Sequence, residues 1–300
     1  MVRPARFGYN PETAATNAFQ RPDMSGDAAA AGRAEFDGLA AALRGAGVSL
    51  CIVDDTPHPI KPDALFPNNW VSFHEDGTVV LYPLQAPSRR PERRRDTVDA
   101  VSERLGFQVS HLFDLTRHER DGRYLEGTGS LVLDHRQRIA YACRSPRTDE
   151  SVLAEWSREL GYEPVLFTAL DPGGTPIYHT NVLMSLGERA AIVGLEAIAE
   201  ADRGRVRERL AGSGRELIEI GAREIECFAG NVLELATYDE ALGEYRLLVM
   251  SAAARRALPE ASFARVAACT DEVLVAPVPT IERLGGGSVR CMLAEVFLPA

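Results

Sequence analysis

Closely spaced cysteines and metal-binding patterns are absent from this sequence of 300 residues. It has five cysteines, an odd number, and they are far apart and form no C-x-x-C pair: Cys51, Cys143, Cys227, Cys269 and Cys291. This pattern argues against both a disulfide framework and a zinc knuckle. There is no H-E-x-x-H motif, and most of the histidines are scattered singly. We therefore expect no metal site.

Long apolar runs and net positive charge are also missing. No segment approaches the roughly 18 apolar residues that a membrane span needs, and the first residues lack the apolar core of a signal peptide. The net charge of −10 disfavours general electrostatic binding to nucleic acid or to an anionic membrane. We therefore expect a cytoplasmic protein, and the sequence leaves open whether it forms a homo-oligomer. An arginine-rich run at 89–95 is the exception, and it reads mainly as a solvated helix start with one or two side chains available to an anion.

Five similar segments follow one another along the chain. Each begins with small or polar residues, continues through a strand, a polar turn and a second strand, and usually leads into a helix. They begin near residues 68, 127, 179, 230 and 287, and a repeat of this length is typical of radial or solenoid folds. Because no linker or low-complexity tract divides the chain, we expect one domain, 1–300. Its predicted fold is α/β, with five ββαβ-like units around a pseudo-fivefold axis and few open sheet edges.

Local patterns give the predicted elements. Phe36, Leu39 and Leu43 have helical spacing within 28–46, and Asp76-Gly77 is typical of a tight hairpin turn. The remaining predictions are strands at 49–53, 70–73, 78–82, 163–167, 181–186, 190–195 and 215–220, a hairpin at 130–143, a helix that begins after Thr148 and a helix at 200–211.

The start of each unit carries residues suited to chemistry. If the units form a ring, Asn69, Glu126, His179, Asn181 and Cys291 converge near its axis. Cys291 follows Gly285-Gly286-Gly287, and glycines allow close backbone approach and leave amide donors free. A cysteine, a histidine and a glutamate together indicate covalent catalysis. The alternative that Cys291 is a buried, inert thiol stays open, as it does for the other cysteines.

Several ordered motifs resemble the pentein superfamily of arginine-modifying enzymes, most closely its citrulline utilisation hydrolases. The motifs are Phe66-Pro67-Asn68-Asn69-Trp70, Ala86-Pro87-Ser88-Arg89-Arg90, Leu125-Glu126-Gly127-Thr128-Gly129, Ser145-Pro146-Arg147-Thr148, His179-Thr180-Asn181 and Gly285-Gly286-Gly287 up to Cys291. The resemblance extends from Arg3 to Pro299. It implies a five-bladed α/β propeller that works without a metal or an organic cofactor.

The resemblance also implies roles for individual residues. Cys291 is the expected nucleophile, His179 the acid and base, and Glu126 the group that orients the imidazole. Substrate-binding roles fall to Arg147 and Arg89, which would hold an α-carboxylate, and to Asn68, Asn69 and Asn181. For Arg89, the alternative of a solvated charge stays open, as does a turn amide for either Asn69 or Asn181.

Asn69 and Asn181 depart from the guanidine-processing members, many of which carry aspartate at these two positions. An amide suits a neutral ureido group better than a guanidinium, so the sequence predicts hydrolysis of citrulline to ornithine, ammonia and CO2. An arginine deiminase or dimethylarginine hydrolase is the alternative with the same chemistry, and an amidinotransferase is less favoured. Alternatives of other classes are a non-catalytic amino-acid-binding protein and a nucleotide-binding protein. For the latter, the glycine run lacks the following Gly-Lys-Ser/Thr of a P-loop.

Overall fold

The computed structural model describes residues 1–22, 26–106, 108–239 and 243–297. Within these ranges, four three-stranded sheets share one topology. The first two strands of each sheet form an antiparallel hairpin, and the third strand pairs in parallel with the second. A fifth sheet has two parallel strands.

The strands follow the predicted repeat. They are β1 (Val2–Arg3), β2 (Val53–Asp54), β3 (Val71–Phe73), β4 (Thr78–Leu81), β5 (His111–Asp114), β6 (Leu131–Asp134), β7 (Ile139–Cys143), β8 (Glu163–Phe167), β9 (Met184–Leu186), β10 (Ala190–Val193), β11 (Glu216–Glu219), β12 (Leu233–Asp239), β13 (Gly243–Ser251) and β14 (Glu272–Ala276).

The helices lie mainly in the connections between strands. They are α1 (Pro11–Ala14), α2 (Ala28–Gly45), α3 (Arg95–Leu105), α4 (Gly127–Ser130), α5 (Glu150–Leu160), α6 (Thr180–Leu183), α7 (Glu200–Ala211), α8 (Ala222–Glu226), α9 (Ala252–Ala257), α10 (Glu260–Ala268) and α11 (Pro279–Gly285). Short 3₁₀ turns cover Pro67–Asn69, Pro87–Glu92, Thr116–Asp121, Leu195–Ala197 and Val289–Met292. None of these helices combines the length and apolar character that crossing a membrane requires.

Each parallel third strand needs a crossover connection, and helix α5 is an example. The Asp149 side chain accepts hydrogen bonds from the backbone N–H groups of Ser151 and Val152 and so caps the first turn. Gly161, at φ +69°, ends the helix in the left-handed conformation that glycine adopts most easily. Trp156 is fully buried on the inner face, so the helix packs onto its own sheet.

The predicted convergence of the unit starts is present. A helical turn precedes the first strand in three of the sheets, at Pro67–Asn69, α4 and α6. The turn at Pro67–Asn69 packs against α4 and against Val289–Met292, and α4 also packs against α6. These turns therefore bring chain segments more than 200 residues apart to one end of the ring.

The fifth unit departs from the ββαβ pattern. After Val289–Met292 the described chain contains no further strand, and the fifth sheet instead pairs β1 with β2 across helix α2. One hydrophobic core cluster joins Leu43 of α2, Val249 of β13 and Met292. Both ends of the chain therefore complete this part of the ring. The segment predicted as strand 49–53 pairs only at its end, because β1 offers two residues.

Candidate active site

A cavity lies at the end of the ring where the unit starts meet. The side chains and glycines that line it come from six parts of the chain: Thr13, Asn17, Asp63, Phe66, Asn69, Arg89, Arg147, Tyr178, His179, Gly285, Gly286, Gly287 and Cys291. Most of the residues predicted for the site are in this set. Glu126, Asn181 and Asn68 lie just behind its wall.

The glycine run brings Cys291 to the cavity. Gly286 has φ +61°, and a Cβ built on Gly285 would lie 2.8 Å from the Phe66 ring. Larger residues would therefore collide or be strained at these positions. The side chain of Cys291 is buried, and its Sγ lies 3.3 Å from Nδ2 of Asn231 and 3.7 Å from Nδ2 of Asn181. Burial raises the pKa of the Cys291 thiol, although these amide donors oppose the shift.

His179 and Glu126 form a buried pair. Nε2 of His179 lies 2.8 Å from Oε2 of Glu126. Burial lowers the pKa of His179 to about 4 against the opposing effect of Glu126, so the imidazole is neutral near pH 7. Burial alone would raise the pKa of Glu126, but Arg147, His179 and Arg89 outweigh it and hold that pKa well below its usual range. The pair is therefore a carboxylate beside a neutral imidazole.

Both oxygens of Glu126 are held. Oε1 accepts a hydrogen bond from the backbone N–H of Gln85 at 3.0 Å, and Oε2 accepts from Nη1 of Arg147 at 3.3 Å as well as facing His179. This fixes the carboxylate and, through it, the ring of His179. Nδ1 of His179 faces Gly129, where a Cβ would lie only 2.7 Å away.

The two predicted arginines have different environments. Arg147 donates to the backbone oxygen of Thr13 at 2.8 Å and to Oγ1 of Thr16, and its guanidinium lies 4.9 Å from the centre of the Tyr178 ring. These partners belong largely to the N-terminal segment 10–20, which crosses the cavity. The carboxylate-binding role of Arg147 stays a prediction.

Arg89 is engaged inside the protein. Its Nε and Nη2 donate to the two carboxylate oxygens of Glu92 at 2.9 and 2.8 Å, and its Nη1 donates to Oδ1 of Asn69 at 2.7 Å. Its side chain is buried, so a solvated charge is excluded. Because a guanidinium only donates, the oxygen of Asn69 must face Arg89 and the NH2 group must face away.

The predicted asparagines form a connected set. Nδ2 of Asn69 lies beside Gly129 and donates to Oδ1 of Asn68 at 3.2 Å. Asn68 is fully buried behind Asn69, and its Nδ2 has no hydrogen-bond partner among the described residues. Asn181 donates to the backbone oxygen of Thr128 at 3.0 Å, which places its amide next to Cys291.

Sequence reasoning missed several residues of the site, and two of them bear on its chemistry: Asp63 and Asn231. Oδ2 of Asp63 accepts hydrogen bonds from Asn10 and Thr13, whereas Oδ1 has no partner among the described residues. Burial raises the pKa of Asp63, with Arg89 opposing. Asn231 was recognised only as the start of the fourth unit. Its position, equivalent to Asn69 and Asn181 at a unit start, was the signal that could have identified it.

Among the described residues, no group of three or more His, Cys, Asp or Glu side chains is arranged to hold a metal ion. The arrangement at the cavity is instead a thiol beside amide donors, with a buried imidazole and carboxylate nearby. Such a set can form and resolve a covalent adduct on sulfur.

The fold and this set of side chains are those of the pentein superfamily, and they identify a hydrolase that acts on carbon–nitrogen bonds other than peptide bonds. A family model described as N,N dimethylarginine dimethylhydrolase, eukaryotic, matches residues 3–298. The chain therefore belongs to the N,N-dimethylarginine dimethylhydrolase family. No curated protein sequence matches it.

Solved structures with the same fold include ArgZ, an arginine dihydrolase from the ornithine–ammonia cycle in cyanobacteria. The match has a TM-score of 0.76 and 16% identity, and it covers 100% of this chain and 40% of ArgZ. The chain thus spans about two fifths of that relative. The N-terminal domain of ArgZ, covalently bound to a reaction intermediate, matches with a TM-score of 0.75 and 16% identity over 100% of this chain and 98% of the domain.

A dimethylarginine dimethylaminohydrolase solved as an adduct with S-methyl-L-thiocitrulline also matches. Its TM-score is 0.65 at 16% identity, over 97% of this chain and 96% of that one. At such low identities, these matches establish the fold.

Proposed function

We propose that this protein hydrolyses the ureido group of citrulline to ornithine, ammonia and CO2, with consumption of one water molecule. The observation that carries the proposal is the neutral amide environment of the nucleophile. Asn181 and Asn231 contact Sγ of Cys291, and Asn69 lines the same cavity. Amides can donate to a ureido oxygen and accept from its N–H groups, and they offer no negative charge to a guanidinium.

The orientation of Asn69 supports this preference. Arg89 holds the Asn69 oxygen and Asn68 accepts one N–H of the amide, so Asn69 has one N–H donor left for a substrate and no free acceptor. A ureido group has an oxygen that accepts such donors, whereas a guanidinium has none. In this proposal Arg89 is a positioning residue for Asn69.

The proposed reaction begins with loss of the Cys291 proton, for which the neutral imidazole of His179, held at Nε2 by Glu126, is the general base. The thiolate attacks the ureido carbon, and amide donors stabilise the developing oxyanion. His179 returns the proton to the departing nitrogen as the C–N bond breaks, which leaves an acyl group on sulfur. Water then attacks this thioester-like adduct with His179 as base, the C–S bond breaks, and the carbamate formed on hydrolysis loses CO2.

The two ends of an amino-acid substrate have matching groups in the cavity. The unpartnered oxygen of Asp63 suits an α-ammonium group, and the guanidinium of Arg147 suits an α-carboxylate. Binding would replace the hydrogen bonds that Arg147 makes to Thr13 and Thr16. The substrate would therefore displace part of the segment 10–20.

A second candidate is hydrolysis of a guanidine, either arginine or a methylated arginine. The specific observation in its favour is Asp63, whose unpartnered carboxylate oxygen could instead pair with a guanidinium. Family membership points in the same direction.

Parallel kinetics with citrulline, arginine and dimethylarginine, with identification of the amino-acid products, separate these candidates. We expect kcat/KM to be highest for citrulline and ornithine to be the product. Citrulline formed from arginine or dimethylarginine, without ornithine from citrulline, would favour the guanidine hydrolase. Binding of these amino acids without turnover would favour the non-catalytic alternative.

A further inference from the structure

The loop between α8 and β12 is shaped to place one amide against the nucleophile. Gly230 packs so closely on α6 that a Cβ there would lie 2.4 Å from the backbone oxygen of Val182. Phe228, two residues earlier, has φ +64°, which is an unusual conformation for a bulky residue. Backbone strain of this kind persists where the surrounding structure fixes it, and it is concentrated at functional sites.

The residue that this loop places is Asn231, which is fully buried. Its backbone N–H donates to the oxygen of Phe228 at 2.9 Å. Its Nδ2 donates to the backbone oxygen of Asn181 at 2.9 Å and lies 3.3 Å from Sγ of Cys291. Because the backbone oxygen of Asn181 only accepts, the Asn231 amide must turn its nitrogen toward Asn181 and Cys291. That nitrogen has a second hydrogen. The second N–H is thus available to the sulfur.

We propose that Asn231 is a further residue of the reaction, whose amide N–H donates to Sγ of Cys291 and holds the thiolate in position to attack. The role rests on the proposed function, in which Cys291 is the nucleophile. Among the described side chains, Asn231 makes the shortest hydrogen bond to this sulfur, at 3.3 Å, whereas Nδ2 of Asn181 lies 3.7 Å away. A thiolate is a stronger acceptor than a thiol, so the bond favours the reactive form.

Other charged or titratable groups also face the nucleophile. Arg290 lies on the same turn, and Tyr178, His179, Asp63, Arg89 and Arg147 line the cavity. A change at Asn231 alters none of these side chains, so its effect on the sulfur can be measured separately.

The test is the rate of Cys291 alkylation by iodoacetamide as a function of pH, followed by mass spectrometry of the peptide that contains Cys291. We compare the wild type with Asn231→Ala and with the near-isosteric Asn231→Asp. For Asn231→Ala, we expect a rate about 10-fold lower at neutral pH and a midpoint about one pH unit higher, consistent with loss of one hydrogen bond to a charged group. Asn231→Asp should shift the midpoint at least as far, because it places a carboxylate beside the thiolate.

A purely structural role predicts a different result. Loosening the loop would expose Cys291, speed alkylation and move the midpoint down instead of up, because burial raises the pKa of this thiol. Gly230→Ala provides that control because it disturbs the same loop while retaining Asn231. Wild-type midpoints in both Asn231 variants would overturn the proposal. The assay contains no substrate, so a failure to hydrolyse citrulline would overturn the proposed function and leave this result intact.

Discussion

The proposed preference for citrulline over a guanidine depends mainly on one side chain, Asn69. It is buried, its oxygen faces Arg89, and its nitrogen faces the part of the cavity next to His179. Asn69→Asp would replace that nitrogen by a carboxylate oxygen of almost the same shape. A new charge-assisted contact to a guanidinium is worth roughly 1.5 to 3 kcal/mol.

We therefore expect Asn69→Asp to raise the ratio of kcat/KM for arginine to that for citrulline by about 10- to 100-fold. The measurement is steady-state kinetics with both substrates. Asn69→Ser, which removes the amide without adding charge, is the control and should lower citrulline turnover without a gain for arginine. An unchanged ratio in Asn69→Asp would contradict the assigned role of Asn69.

Arg89 and Glu92 give a prediction that separates stability from activity. Arg89→Met leaves Glu92 buried without its partner, which should cost about 3 to 5 kcal/mol in the free energy of unfolding. The double variant Arg89→Met/Glu92→Leu replaces the pair by apolar groups, so it should recover most of that stability.

The double variant should still hydrolyse citrulline poorly, because nothing then fixes the orientation of Asn69. Denaturant unfolding and citrulline kinetics are measured on the same three proteins. Wild-type kcat/KM in the double variant would show that Arg89 does not position Asn69.

Side chains with a clear chemical signature could be predicted from the sequence, and their partners could not. Cys291 was marked by its glycine run. Asp63 could not be identified in this way, because nothing near it in the sequence reveals that its Oδ1 lies buried at the cavity without a hydrogen-bond partner among the described residues. Arg89 was predicted to contact substrate, and only its three-dimensional neighbours show that Glu92 and Asn69 occupy its donors.

At the scale of elements, the glycine run and the N-terminal segment 10–20 depend on each other. Asn17 donates to the backbone oxygen of Gly286 at 3.1 Å, and Gln20 donates to that of Leu284 at the same distance. A Cβ on Gly286 would lie 2.5 Å from the Asn17 side chain. The segment also supplies Thr13 and Thr16, which bind Arg147.

Gly286→Ala should therefore lower the free energy of unfolding by about 1 to 3 kcal/mol, because alanine at φ +61° is strained. It should also change KM by displacing the segment that contacts Arg147. Gly38→Ala is the matched control: Gly38 is exposed in α2 with no atom within 4 Å of its Cβ position, and alanine should stabilise there by about 0.5 to 1 kcal/mol. Equal stability and equal KM in the two variants would contradict this coupling.

The hairpins and amphipathic helices were predictable because their signals are local. Strand β8 was predicted with its observed limits, as was helix α7, whereas the hairpin strands differ by one to three residues. The arrangement of the fifth unit was not predictable, because β1 and β2 pair in parallel across α2 and two-residue strands have almost no sequence signature.

For the whole molecule, buried histidines link stability to pH. Burial lowers the pKa values of His74 and His179 to about 4, below the value of 6.5 for an exposed histidine. The unfolded state therefore takes up protons first as the pH falls. The stability that these neutral side chains contribute is complete above pH 6.5 and is lost as the pH falls through 4, by at most roughly 3 kcal/mol per histidine.

We expect the free energy of unfolding to be lower at pH 4.5 than at pH 7.5, and His74→Gln to reduce that difference. His74 suits this comparison because it lies outside the cavity, where its Nε2 is 2.8 Å from Oγ of Ser72. The control is His111→Gln, at an exposed position, which should leave the difference unchanged. A drop in His74→Gln as large as in the wild type would contradict the prediction.

The arrangement of both chain ends in one core also leads us to propose that 1–300 acts as one catalytic domain. Phe7 and Met292 belong to one core cluster, so removal of either end should disrupt the cavity. The proposed function itself depends on chemistry at one atom, Sγ of Cys291.

Its most direct test is ornithine release from citrulline by the wild type and by Cys291→Ser, with quantitative amino-acid analysis and with thermal unfolding to verify folding. We predict ornithine, ammonia and CO2 in equal amounts from the wild type and a loss of at least about 10³-fold in a folded Cys291→Ser variant. Ornithine production that survives this substitution, or citrulline left intact by a folded wild type, would contradict it.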